Sequence, residues 1–534
     1  MATKRPMTEE RIPGAESKGR LGRAVARVVS DGSLTKKASL NAAASTADQI
    51  ARSVAGLIIN PILLTRLGDT GYGIWQVLQQ LIGHASPASG RPGEALKWTI
   101  AHDQLSTDYD FKRRQVGNAM AVWLLFLPVL VAVGGTLAWL APIWLHVQSS
   151  SYGTVRVAGG ILVLDAVLFS LLYLPESVLQ GENLGYKRLG LSVLLVFVSK
   201  ALLVVAVYLG TGIGGLAVAT TVATVLWGAT YLFIVRSRVV WFGVTRSSLA
   251  EVGRFVRLSW WFLLWNLVMT VMLASDVVVL GVVGSPALVT TYTLARYVPQ
   301  AITIAVSGVI VAIMPGLGGL IGAGELRKAV RIRKETMSLI WLFTIVAGAT
   351  ILLWEESFLR LWVGPGYYPG SATILMVMLM VLQFALIRTD ANIIDLTLNL
   401  RRKVLLGALS AILCVGLALL FLGPLDMGII GLVLGFIVGR TIQSVGYPLM
   451  IGRMLGIPPA RQLKGIARPA LATGVLFAGA SALGTATHAG SWLDLVLFTG
   501  ISAAAVALIA FFIGLPVGSR QQLWRRLRKV ARLA

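Results

Sequence analysis

The sequence predicts an all-α polytopic membrane protein of about fourteen transmembrane helices, built as two parallel six-helix repeats with two further C-terminal helices. Three observations carry this prediction. First, 56% of the 534 residues are hydrophobic and 13% charged, a balance far from the roughly 25% charged residues of soluble domains. Second, apolar stretches long enough to cross a hydrocarbon core of roughly 30 Å, at about 1.5 Å per residue, recur along the chain. Third, segments in the two halves match at one fixed displacement of 216 residues.

Fourteen apolar spans are read at 40–65, 71–90, 117–146, 157–181, 189–209, 213–235, 258–284, 287–321, 335–358, 371–399, 403–422, 427–449, 468–487 and 491–515. They divide the chain into a cytoplasmic basic segment (1–39), an N-terminal six-helix bundle (40–235), a cytoplasmic linker (236–257), a C-terminal six-helix bundle (258–449), a linker with two additional helices (450–515) and a basic amphipathic tail (516–534). With both termini cytoplasmic, 40 of the 47 Lys and Arg fall on the inner side and three, Arg66, Arg156 and Arg360, on the outer. Arg52, Lys200, Arg296 and Arg388 remain within spans. Inner loops collect basic residues, so the net charge of +24 is mostly topological.

Residues 1–39 have no apolar core of a removable signal peptide, and 21–27 read as a short interfacial helix or a basic arm. The first span is polar in its inner half, with Asn41, Ser45, Thr46, Asp48, Gln49, Arg52 and Ser53. Such a face lines a cavity or packs on partners, and Asp48 with Arg52 at i,i+4 forms a candidate local pair. Leu67-Gly68-Asp69-Thr70-Gly71-Tyr72-Gly73-Ile74-Trp75 reads as an outer turn with interfacial aromatics. The inner loop 84–114 is the longest internal break. On the outer side the longest loop is 355–370, with Trp362, Tyr367 and Tyr368 as an interfacial cap and no room for a catalytic domain.

Residues 258–300 form a transmembrane hairpin turning at Gly284-Ser285-Pro286. Asp276 and Arg296 lie equally far in sequence from Pro286, so antiparallel helices hold them at similar depth. Ionisable groups inside a membrane are costly and are either paired structural groups or parts of a transport path.

The repeat is legible in two pairs of segments. Asn183-Leu184-Gly185-Tyr186-Lys187 precedes Gly212-Ile213-Gly214-Gly215-Leu216, and Asn399-Leu400-Arg401-Arg402-Lys403 precedes Gly428-Ile429-Ile430-Gly431-Leu432. The same displacement takes Leu67-Gly68 to Val283-Gly284, which makes spans one to six and seven to twelve parallel repeats. The tail aligns Leu523, Leu527, Val530 and Leu533 on one face as an interfacial helix.

Several function classes are excluded. Nucleic-acid binding needs a basic patch on a soluble domain, and no stretch is polar enough to form one. Cys414 is the single cysteine, so no intramolecular disulfide exists. His84, His102, His146 and His488 show no metal-ligand spacing, and neither a Walker A sequence nor a catalytic constellation appears. No enzyme activity and no cofactor are expected.

Six-plus-six helices, a polar first span ending in Leu67-Gly68 and followed by Gly71-Tyr72-Gly73-Ile74-Trp75, matched inner loops with basic ends and two extra helices together resemble a known family. It is the polysaccharide-transporter (Wzx-type flippase) branch of the multidrug/oligosaccharidyl-lipid/polysaccharide exporter (MOP) superfamily, similar also to fourteen-helix lipid II flippases. The resemblance covers roughly residues 40–515, and the long loop 84–114 departs from it. It implies two bundles that open a cleft alternately to each side of a bacterial inner (plasma) membrane. The cargo it implies is an undecaprenyl-diphosphate-linked glycan, with membrane lipids and glycan-assembly proteins as partners and a proton or sodium gradient as the driving force. A small-molecule multidrug cation antiporter is the alternative.

A diphosphate needs cationic partners, Arg forks or Lys point charges, and the in-span cations Arg52, Lys200, Arg296 and Arg388 are the substrate-binding candidates. Asp276 leads the ion-coupling candidates because the resemblance places an acid on span seven. Asp48 follows, and then Asp390 and Asp395, expected near the inner face in gating or in pairing with Arg388. Mutual neutralisation of these charges is the competing structural reading.

Overall fold

The computed structural model describes residues 34–104, 106–188, 190–322, 324–396, 400–518, 520–522 and 524. The 1–33 segment and most of the predicted tail helix lie outside them. Among the described residues every regular element is a helix: α1 (Leu34–Gly83), α2 (Pro92–His102), α3 (Tyr109–Trp144), α4 (Tyr152–Gly181), α5 (Leu191–Tyr208), α6 (Gly212–Arg238), α7 (Leu249–Val283), α8 (Pro286–Ala295), α9 (Tyr297–Gly322), α10 (Leu326–Trp362), α11 (Ser371–Asp395), α12 (Leu400–Leu422), α13 (Gly428–Leu455), α14 (Pro459–Gly484) and α15 (Trp492–Ile509). Helices satisfy their backbone hydrogen bonds internally, the condition that hydrocarbon imposes on a spanning segment.

Among the described residues twelve helices are long and apolar enough to cross a membrane, thirteen if the bent pair α8 and α9 counts as one span. The expectation was about fourteen. Spans 40–65 and 71–90 run together as α1, which is interrupted at Gly68 (φ 70°, ψ 173°). That conformation is essentially confined to glycine. α8 and α9 meet at 51°, because Pro299 has no N–H to give the carbonyl of Ala295 and the helix breaks there. Two predicted loops are partly helical. α10 runs on to Trp362, so Glu355 is buried within it, and the loop 84–114 contains α2, packed on α3 and α4.

The 216-residue displacement also relates helix ends. α6 begins at Gly212 with φ 58° and α13 at Gly428 with φ 56°, and Gly284, the residue after the end of α7 at Val283, lies 216 residues on from the break of α1 at Gly68. The same shift applied to α2 falls inside α9, so where the second half has one continuous helix the first has a separate short one. Of the additional helices, α14 and α15 both dock on α10. Trp341 Nε1 donates to Thr473 Oγ1 at 3.1 Å and Trp354 Nε1 to Ser502 Oγ at 2.9 Å.

Core packing differs between the two ends of the bundle. Towards the Gly68 end one continuous apolar cluster joins residues of both halves, among them Tyr72, Trp75, Leu280, Tyr292, Ile345 and Phe436. At the opposite end each half keeps its own: Leu96, Val178, Val235 and Trp241 in the first, Leu317, Ile393, Tyr447 and Ile451 in the second. The Gly68 end is also bonded across. Thr290 Oγ1 donates to the Asp69 carbonyl at 2.6 Å, Trp362 Nε1 donates to that of Leu57 at 2.6 Å, and the Tyr367 hydroxyl donates to the Asp69 carboxylate. Gly73 makes the contact possible, since a Cβ there would lie 1.9 Å from the carbonyl oxygen of Pro286.

Candidate functional site

α7 and α8 form the hairpin expected from the sequence, with Ser285 as N-cap of α8 accepting from Leu288 N at 3.3 Å and Pro286 in its first turn. This turn brings Asp276 and Arg296 together. Arg296 is the break residue between α8 and α9, and its Nη1 donates to Asp276 Oδ2. The same oxygen accepts the Tyr292 hydroxyl at 2.8 Å, while Oδ1 accepts Val277 N at 2.8 Å. The two charged side chains are 8% and 18% exposed.

Arg440 of α13 faces the same cluster, and its charge interacts with Asp276, Tyr292 and Arg296. It is buried, donates from Nη2 to the Met272 carbonyl at 2.8 Å, and lies 5.2 and 5.3 Å from the Phe384 and Phe436 ring centroids. Its buried Nε has no hydrogen-bond partner among the described residues. Arg440 lies within the span 427–449 and does not belong among the 40 inner-side cations with which it is counted above; a charge in an apolar run was the signal.

The first half reaches the cluster through His84, just past the end of α1. Its Nδ1 lies 2.6 Å from the Gln80 carbonyl and its Nε2 3.2 Å from Ser275 Oγ. A carbonyl only accepts, so Nδ1 carries the proton and, in the neutral ring, Nε2 accepts from Ser275. His84, treated in the sequence as one of four scattered histidines, thus contacts the residue next to Asp276. Among the described residues this cluster, at the seam between the two halves, holds one carboxylate and two guanidinium groups.

The other candidates fall into separate groups. Asp48 is buried, and its Oδ1 accepts Ser192 Oγ at 2.5 Å across α1 and α5. Four residues on, Arg52 stands 5.3 Å from the Trp227 ring, and its charge is felt by Lys200 of α5. Lys200 is half-buried and makes no ion pair among the described residues. In the second half Arg388 Nε donates to Ser307 Oγ at 3.1 Å and its charge is felt by Asp395. Asp395 is paired with Lys403 at 2.5 Å, and the Lys403 ammonium sits 3.9 Å from the Trp265 ring.

Asp390 corrects an expectation. It takes two hydrogen bonds from Arg333, 2.9 and 2.8 Å, and does not pair with Arg388, because residues two apart on a helix point to different faces. Of the eight sequence candidates only Asp276 and Arg296 lie at the seam cluster. Arg440, Tyr292, His84, Arg333 and Lys403 join the list from tertiary structure.

No family model matches the sequence, and no curated protein matches it. Solved structures do match. The lipid II flippase MurJ in an inward closed conformation has TM-score 0.65 at 13% identity, covering 91% of this chain and 99% of that one. An inward-facing multidrug resistance MATE transporter of the MOP superfamily has TM-score 0.63 at 15% identity, covering 78% and 98%. An outward-facing MATE transporter has TM-score 0.53 at 15% identity, covering 81% and 98%. At these identities the likeness speaks to the fold: this chain has the fold of MOP-superfamily transporters, shared by a lipid II flippase and by MATE transporters.

Proposed function

We propose that this protein is a flippase of the Wzx-type branch, moving an undecaprenyl-diphosphate-linked oligosaccharide or polysaccharide precursor across a bacterial inner membrane by alternating access. The observation that carries this reading is the charge of the seam: Arg296 and Arg440 face the single carboxylate of Asp276. A surplus guanidinium in a desolvated place, with a free Nε, suits an anionic diphosphate. A cationic drug would need the reverse balance, which is what disfavours the multidrug alternative despite the shared fold.

The bias of basic residues supports a cytoplasmic location for the end bearing α2, and Gly68 as the turn between the first two spans supports the fourteen-span topology. Separate apolar cores at that end and a joined core at the other then describe an inward-oriented cleft, in keeping with the higher TM-score of the inward-facing MATE transporter over the outward-facing one. Asp276 is the proposed proton or sodium coupling acid, since it shares Arg296 with the diphosphate. Membrane lipids and glycan-assembly proteins are the proposed partners.

The test is flipping of a fluorescent undecaprenyl-diphosphate-linked sugar in proteoliposomes. Arg440→Leu should cut the initial rate at least tenfold and Arg440→Lys less, because a point charge holds a diphosphate without the fork. Full flipping by Arg440→Leu, or uptake of small organic cations by the wild type in place of the lipid, would refute this function.

A further inference from the structure

A cavity of about 210 Å³ lies within the first half, between α1, α2, α4 and α6, and Asp276, Tyr292, Arg296, Arg440 and His84 are not among its lining residues. Its wall is built with some strain. Gly90 (φ 73°) and Arg91 (φ 51°) are both left-handed, a backbone that an arginine rarely adopts. Arg91 Nη1 donates to Ser86 Oγ at 3.2 Å, and its Nε is buried without a partner among the described residues. Asp165, from α4, has Thr224 beside its carboxylate, while its Oδ1 is buried and unpartnered. The third charged wall residue, Glu94, is already engaged, accepting the Tyr173 hydroxyl at 3.0 Å and pairing with Lys97 at 2.6 Å.

These observations narrow the ligand. Arg91 and Lys97 both act on Glu94, and their two positive charges balance those of Glu94 and Asp165 together, so the charges about the cavity sum to zero and leave none to hold an ion. A phosphate would meet Asp165 and a metal or organic cation would meet Arg91, whereas an apolar ligand would leave the free donor and acceptor unsatisfied. Phe169 and Tyr173 add a stacked aromatic surface, with ring centroids 5.8 Å apart and 18° between planes, and Gln79 and Thr220 add further polar groups. The volume is below the roughly 300 Å³ at which sites for drug-sized ligands begin. A neutral pyranose combines hydroxyls that both donate and accept with an apolar face of C–H groups. We infer that this cavity binds a single neutral sugar ring, a recognition site for one residue of the glycan. The inference rests on the flippase reading for the source of the sugar.

The experiment uses the full-length protein in a detergent without a sugar headgroup. Saturation-transfer NMR is recorded to the methyl pyranosides of glucose, galactose, mannose and rhamnose, beside binding of undecaprenyl diphosphate carrying no sugar. At least one pyranoside should receive saturation at its ring protons. Asp165→Asn and Arg91→Met should each reduce that signal at least fivefold while leaving undecaprenyl diphosphate binding intact. Phe169→Ser, at a half-exposed position, does the same duty should either variant fail to fold. Lipid binding without transfer to any pyranoside, or transfer that all three variants leave unchanged, overturns the sugar site and spares the flippase reading. Pyranoside binding without lipid binding upholds the site and overturns the flippase reading.

Discussion

Asp276→Asn separates the two roles assigned to the seam. The substitution keeps the shape and the Oδ1 acceptor for Val277 N, but removes the charge that holds Arg296. A hydrogen bond to a charged group contributes about 1.5–3 kcal/mol net. If Arg296 recovers that interaction with a diphosphate, affinity should rise by about ten- to a hundred-fold, at about 1.4 kcal/mol per tenfold. Without ligand the variant should be less stable than wild type, because removing one partner of a buried ion pair costs about 3–5 kcal/mol. With Arg296 18% exposed, the lower end of that range is expected. Ligand at a hundredfold excess over its Kd returns about 2.7 kcal/mol, so undecaprenyl diphosphate should restore most of the lost thermal stability. The assay is thermal unfolding in detergent across a titration of undecaprenyl diphosphate, followed by flipping in liposomes under an imposed proton or sodium gradient. Flipping by the variant should no longer respond to the gradient. An Asp276→Asn protein that binds undecaprenyl diphosphate no tighter than wild type, or whose flipping still follows the gradient, would show that Arg296 is not the shared partner. Asp48 is then the next acid to test.

Other parts of the molecule give further outcomes. Gly73→Val pushes a side chain into the Pro286 carbonyl; at an overpacking cost of about 1–3 kcal/mol, it should open the Gly68 end, read as labelling of a cysteine at Thr290 by an impermeant reagent. Tyr367 lies in the turn at that end, and burial, with its bond to Asp69, pushes its phenol up to about 12. Since this exceeds its ordinary value of 10.0, the contribution of that bond to the seal is fully present below about pH 10 and is lost as pH rises through about 12. Measured relative to an exposed control cysteine, which corrects for ionisation of the thiol itself, labelling at Thr290 should therefore stay flat between pH 7 and pH 9, and a relative rise within that window would contradict the Tyr367 bond as part of the seal. In a Cys414→Ser background, cysteines at Ser285 and Gly490 should react from outside in intact cells and those at Ser247 and Gly465 should not. Reaction of the second pair would overturn the proposed orientation.

The sequence by itself determined the fold class and one site contact. Hydrophobic runs of membrane-crossing length dictate helices because hydrocarbon offers no other partner for backbone N–H and C=O groups, and that rule is local. The Asp276–Arg296 pair was legible for a similar reason: a tight turn at Ser285-Pro286 sets depth on two adjacent helices by counting residues. Span ends were less legible where polarity and helix disagree, as at Gly68, Pro299 and Glu355, since hydropathy records burial in lipid and α10 buries Glu355 in protein. Only the tertiary structure decided which charges meet. Arg440 is more than 140 residues from Arg296 and His84 is 191 from Ser275, and the partner of Asp390 is Arg333 because helix faces, not nearness in sequence, choose neighbours. The cavity of Arg91 and Asp165 was invisible for the same reason. It exists because α2, read in the sequence as a broken loop, folds back against α4 and turns two separately unremarkable polar residues into facing walls.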